Sequence, residues 1–300
     1  SGPDRTGEGA IRAYPDPPAR GLAAESTPWP LRWAKLGCAR RRSCRSVAGV
    51  LSEGQLREFG GQGYLVLPGV VPERLLAPVD AEIDALVAES PPPAGAIGGH
   101  SYFQPPGRLP AADAALRDSP AIGLAEALVS PRTLDHGLDH IQVALNIPPS
   151  AHRPGAPHLD GHRPEQARPH SFTMLAGIYL VDESAPDSGN LWVWPGSHLV
   201  HERLFRAQGP AALLADSGHA TSLAAPPRYS QPVQALARRG DLLLAHFLLG
   251  HNSGGNTSNR TRRIVYYRLS CPGHASRWAD TFTSAFTEYE PVRRALGAAG

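Results

Sequence analysis

The segment Pro157-His158-Leu159-Asp160-Gly161-His162 holds the residues whose types and spacing say most about chemistry. In an extended backbone, side chains two residues apart project to the same side. His158 and Asp160 can therefore grip one metal ion together, and a third ligand has to come from a distant part of the chain. His251 is the best candidate: it follows the apolar run DLLLAHFLL and opens the Gly-rich turn HNSGGN. Two imidazoles and one carboxylate on one face leave three coordination positions open, the arrangement of non-haem Fe(II) oxygenases. An isolated HxD is weak in a chain with 13 histidines. Arg262, eleven residues after His251 at the start of an apolar strand, strengthens it. A guanidinium holds a carboxylate through two parallel hydrogen bonds, which suits the far end of a dicarboxylic cosubstrate. Arg263 beside it faces the opposite way. The same His/Asp/His set would also serve a Zn²⁺ hydrolase or a cupin-like module holding a structural metal, and neither of these needs Arg262.

These residues have to be carried by strands. HIQVALNI (140–147), TMLAGIYLV (173–181), NLWVW (190–194), DLLLAHF (241–247) and RIVYYRL (263–269) are short, apolar and separated by PDSGN, PGSH and HNSGGN, which read as turns. Before them the pattern is helical. Ser52 and Gln55 form a capping box, GYLVLPGVV (63–71) is a strand and turn, and a helix follows over 72–89 with Pro72 in its first turn. A second helical stretch lies near 119–129. Helices first and strands afterwards predict an α+β fold with an antiparallel sandwich or barrel.

Composition narrows the classes. Gly and Pro number 31 each among 300 residues, which argues against long-helix bundles. No run reaches the roughly 18 apolar residues of a membrane span. The first 50 residues carry nine basic and four acidic side chains and are expected to be a poorly ordered or peripheral leader; residues 51–300, with 20 basic and 23 acidic, are expected to form a single domain. That balance gives no electrostatic drive toward nucleic acid. Lys35 is the sole lysine, which excludes a P-loop or Schiff-base lysine in the main body. Cys38, Cys44 and Cys271 make an odd set with no zinc-finger spacing, and no apolar segment of signal-peptide type is visible. A cytoplasmic location is expected.

PHLDGH, DSGNLWVWPGSH (187–198) and GDLLLAHFLLGHNSGGNTSNRTRR (240–263), in that order, together with GYLVLPGVV, resemble the phytanoyl-CoA dioxygenase family over about residues 52–270. The resemblance implies an Fe(II)- and 2-oxoglutarate-dependent oxygenase on a double-stranded β-helix, a jelly-roll core flanked by helices. It implies that His158, Asp160 and His251 ligate iron, that Arg262 anchors the 2-oxoglutarate carboxylate, and that Ser253 hydrogen-bonds the same carboxylate. With O₂, such an enzyme releases succinate and CO₂ and oxidises a small molecule. Some members use an upstream lysine as an extra cosubstrate contact; Gln142 is a candidate to replace it here. In related halogenases a small residue replaces the carboxylate ligand, so Asp160 favours hydroxylation or another oxidative outcome.

Other residues have quieter readings. His246 is expected in the core or behind the metal ligands. Trp192 and Trp194 share one strand face and are expected to pack in the core. Asp182, Glu183 and Asp187 are expected to be solvated at a turn. His162 and His170, with Arg153, Arg163 and Arg168, make either a solvated loop or a lid that attracts an anionic substrate.

Overall fold

The structure is a computed structural model that describes residues 50–135, 141–160, 170–213 and 227–297. The leader lies outside them, as do His162, Arg163 and Arg168 of the proposed lid. The chain runs α1 (Glu53–Gln62), β1 (Tyr64–Leu67), α2 (Glu73–Glu89), β2 (Gly98–Gln104), α3 (Pro110–Arg117), α4 (Ala121–Val129), β3 (Ile141–Ile147) and β4 (Met174–Tyr179). It continues through β5 (Leu191–Val193), α5 (Ser197–Gln208), β6 (Val233–Gln234), β7 (Leu242–His246), β8 (His251–Ser253), β9 (Arg262–Leu269), α6 (His274–Thr283) and α7 (Glu290–Ala295).

Local sequence accounts for the first elements. The Ser52 side chain accepts from the Gln55 amide while the Gln55 side chain accepts from the Ser52 amide, closing the capping box of α1. Gly63 ends that helix in the left-handed conformation and turns the chain into β1. The apolar stripe of α2 then buries Leu76, Val79, Ile83 and Leu86.

Among the described residues, nine strands form two antiparallel sheets. The larger is ordered β1-β7-β4-β9-β3-β2 and the smaller β6-β5-β8. Strand alternation divides the larger sheet's side chains between two cores. Val143, Met174, Ala176, Ile178, Leu242, Leu244, Val265 and Tyr267 pack with helical residues such as Phe59, Leu76, Ile83, Leu124 and Val292. On the opposite face, Ala144, Leu175, Tyr179, Leu243, Ala245, Ile264 and Tyr266 pack with Leu191 and Val193 of the smaller sheet. A two-sheet core with one helix-covered face results, and the site opens on the inter-sheet side.

The strand readings at 140–147, 173–181, 190–194, 241–247 and 263–269 match elements to within two residues at either end. Three corrections follow. His251–Ser253 is not a turn but β8, paired to β5 with Val193 opposite His251 and Leu191 opposite Ser253. The helix expected near 119–129 is present as α4, and what the sequence reading missed is α3, which ends at Arg117 just ahead of Ser119-Pro120. The edge strand β2, GGHSYFQ, starts with two glycines and has no apolar alternation, so its pairing to β3 comes from tertiary context.

Candidate metal and cosubstrate site

His158 and His251 are brought together by backbone before side chain. Each donates its amide to the other's carbonyl, at 3.0 and 3.2 Å, outside any longer ladder. This pairing fixes the segment carrying His158 and Asp160 against β8, and alternation sends Leu159 into the core, 1% exposed. Ligand atoms of His158, Asp160 and His251 all lie within 4.8 Å of one another. Asp160 Oδ1 sits 3.6 Å from His158 Nε2 and 3.5 Å from His251 Nε2. His251 Nδ1 lies 3.0 Å from the Leu249 carbonyl, which orients Nε2 toward the site. One anionic oxygen and two ring nitrogens converging on a common point is a donor set that fits Fe(II).

The charges are coupled. Burial opposes ionisation of Asp160, but hydrogen bonds from both imidazoles and the nearby Arg268 cation hold its pKa well below the ordinary value. Burial and the neighbouring His251 lower His158. Burial also acts to lower His251, yet Asp160 outweighs it and the net shift is upward.

Asp160 has a second partner that the sequence reading missed. Arg268 Nη2 donates to Asp160 Oδ2 at 2.7 Å and to Gln142 Oε1 at 2.9 Å. Its guanidinium also lies 5.9 and 5.7 Å from the ring centres of Phe103 and Phe172. Arg268 thus occupies one carboxylate oxygen and leaves Oδ1 to the histidines. The signal was available: Arg262, Ile264, Tyr266 and Arg268 alternate along β9 and share a face.

A cavity of about 160 Å³ adjoins the triad. His158, Asp160, His251, Ser253, Arg262 and Gln142 all line it, beside Tyr266, Ser101 and Asn146. All six expected site residues therefore meet in one space. Gln142 spans Arg268 and Ser101, donating to the Ser101 hydroxyl at 3.1 Å. His246 is buried as expected, its ring bonded to the Ala285 carbonyl and the Leu248 amide. Trp192 and Trp194 are also buried. His198 sits at the start of α5, against Phe286 and His246 and bonded to the Gly60 carbonyl.

Glu183 corrects the expectation of a solvated carboxylate. It is 0% exposed, and both its oxygens accept from Arg262 Nε, at 3.2 and 3.3 Å. The Tyr266 hydroxyl accepts from Arg262 Nη2 at 2.7 Å. Burial is the dominant influence on Glu183 and raises its pKa to about 7 even with Arg262 beside it. Nothing in the sequence separates Glu183 from its acidic neighbours, because it is buried through backbone pairing with Ala237. Gly177 makes room for this arrangement: a Cβ there would lie 3.0 Å from the Tyr266 ring.

Residues 59–264 match the family described as phytanoyl-CoA dioxygenase. No curated protein matches the chain. Among solved structures, it is similar to the epimerase SnoN in complex with Fe³⁺, α-ketoglutarate and nogalamycin RO, at 21% identity and TM-score 0.54, over 73% of this chain and 83% of that one. It is also similar to SnoK, a non-haem α-ketoglutarate-dependent carbocyclase from nogalamycin biosynthesis, at 18% identity and TM-score 0.54, covering 76% and 90%.

Proposed function

The chain belongs to the phytanoyl-CoA dioxygenase family and is a non-haem iron, 2-oxoglutarate-dependent enzyme; from that premise we propose that it oxidises an unactivated C–H bond of a small molecule, with hydroxylation as the default outcome. The observation that carries the reading is the placement of the His158/Asp160/His251 donors and Arg262 on one cavity. We take the two sheets as the halves of a double-stranded β-helix and residues 51–300 as one oxygenase domain. SnoN in complex with nogalamycin RO and SnoK from nogalamycin biosynthesis are compatible with a natural-product substrate here. A substrate carrying negative charge would suit the Arg-rich segment that follows Asp160.

In this reading His158, Asp160 and His251 hold Fe(II), and Arg262 holds the distal carboxylate of 2-oxoglutarate, with Ser253 on the same cavity wall. When bound, iron and cosubstrate supply O₂-dependent oxidation, with succinate and CO₂ released. The chain supplies position and environment. Arg268 keeps Asp160 turned with one oxygen toward the histidines, Tyr266 fixes the Arg262 guanidinium, and the Leu175 and Leu191 walls limit water in the cavity.

The test needs no substrate. Fe(II) and 2-oxoglutarate added anaerobically should give a weak visible charge-transfer band. The band should be absent in His251→Ala and should require far more 2-oxoglutarate in Arg262→Met. Folded, iron-loaded protein with no band would overturn the reading and favour a hydrolase or a binding module.

A further inference from the structure

Arg262 is not a free cation waiting for a ligand. Its Nε is bonded to both Glu183 oxygens and its Nη2 to Tyr266, and the pair is closed off, with side chains 4% and 0% exposed. The groups facing Glu183 are few. Arg262 and Tyr266 come from β9, Tyr179 from β4, and Asp182 precedes it in the chain. Asp182 points to solvent near Arg238 and Arg260. Asp241 acts on Tyr179 from the start of β7. Arg262 is the one cation bonded to Glu183 among the described residues.

A distal carboxylate docking on Arg262 would bring a second anion to a guanidinium that already carries one. Two carboxylates sharing a site out of water cannot both stay ionised cheaply; one of them takes a proton. We propose that Glu183 takes up one proton from solvent as the distal carboxylate of the cosubstrate docks on Arg262, so that cosubstrate binding is proton-coupled and weakens as pH rises. The step breaks no covalent bond in the ligand; it forms one O–H bond on Glu183 and leaves Arg262 charged for the incoming carboxylate. The Tyr179 hydroxyl, buried near Glu183 with no hydrogen-bond partner among the described residues, adds a further polar oxygen to the same cluster. Burial already raises the Glu183 pKa to about 7 in the free protein, so a further rise on docking keeps it protonated at pH 8. Tyr179 and Tyr266, both raised by burial, stay protonated throughout.

The inference rests on the proposed oxygenase reading, and its test separates the two. Fe(II)-loaded protein is titrated anaerobically with 2-oxoglutarate by calorimetry, in phosphate and in Tris, while the charge-transfer band is followed. More than half a proton should be taken up at pH 8 and almost none at pH 6, where Glu183 is already protonated. Kd should rise about tenfold from pH 6 to pH 8. Glu183→Gln should keep the band and lose both the uptake and the pH dependence. An infrared difference spectrum of the wild-type protein at pH 8, with ¹³C-labelled 2-oxoglutarate, should gain an unlabelled protonated-carboxyl stretch; this readout holds even if the variant does not fold. A band without proton uptake or the new stretch, or uptake that persists in Glu183→Gln, would overturn the inference and leave the oxygenase reading standing. No band in the wild type would overturn both.

Discussion

Arg262→Met should destabilise the protein by an amount that grows with pH, because the change strands a fully buried Glu183 without its cation. In the wild type the folded-state pKa of Glu183 is about 7, against 4.5 as its ordinary value. A carboxylate with a raised folded pKa contributes most to stability below 4.5, and that contribution falls as pH rises to 7. Above pH 7 it levels off, because the folded state then ionises too. At about 1.36 kcal/mol per pKa unit, the fall amounts to about 3 kcal/mol. Without Arg262 the carboxyl has no cation and stays protonated well above pH 7, so the fall continues. The gap between wild type and Arg262→Met from this source should be close to zero at pH 5.5 and about 2 kcal/mol at pH 8.5. A pH-independent loss from the broken Arg262 hydrogen bonds adds to it, about 1–3 kcal/mol. Urea unfolding of both proteins at the two pH values measures the widening. The double variant Arg262→Met/Glu183→Gln, with no titrating group at position 183, should show none. A gap that stays constant with pH, or widens equally in the double variant, would refute the coupling between this buried carboxylate and its cation.

Three further outcomes follow from other residues. Burial lowers the pKa of His198 to about 3 and those of His201 and His246 to about 4. The unfolded chain binds protons at these positions from pH 6.5 downward and the folded one does not, so these three groups should remove about 4 kcal/mol of stability between pH 7.5 and 5.5. Glu183 returns about 2 kcal/mol over the same range, and the full loss of about 4 kcal/mol should appear in Glu183→Gln, measured by urea unfolding in metal-free protein. Gly177→Ala places a methyl 3.0–3.1 Å from Tyr266 and Ile264; it should cost about 1–3 kcal/mol and, by moving the hydroxyl that holds Arg262, raise the 2-oxoglutarate needed for half-maximal charge-transfer intensity. Glu288, 1% exposed, accepts from the Thr173 hydroxyl and Arg277 and contacts His274; Glu288→Ala should destabilise by about 3 kcal/mol in urea while the charge-transfer titration of the remaining folded protein is unchanged.

The difference between what the sequence showed and what it hid has a physical basis. Ligands set by backbone geometry were legible, because the i, i+2 rule places His158 and Asp160 together without knowledge of the rest of the fold. Arg262 was legible through its distance from His251, and β9 alternation would have extended that argument to Arg268. Glu183 was not legible. Its role depends on the backbone pairing with Ala237 and on the buried Tyr179–Tyr266 cluster, contacts between segments 50 to 80 residues apart in sequence. The edge strand β2 was hidden for the same reason: its pairing to β3 places Ser101 at the cavity, although GGHSYFQ has no strand pattern of its own. The residues proposed to hold metal and cosubstrate are thus written locally, whereas Glu183, the residue proposed to set their charge balance, is written only in the packing. Substitutions at Glu183 will therefore separate charge control of the cavity from ligand geometry in a way that changes at His158, Asp160 or His251 cannot.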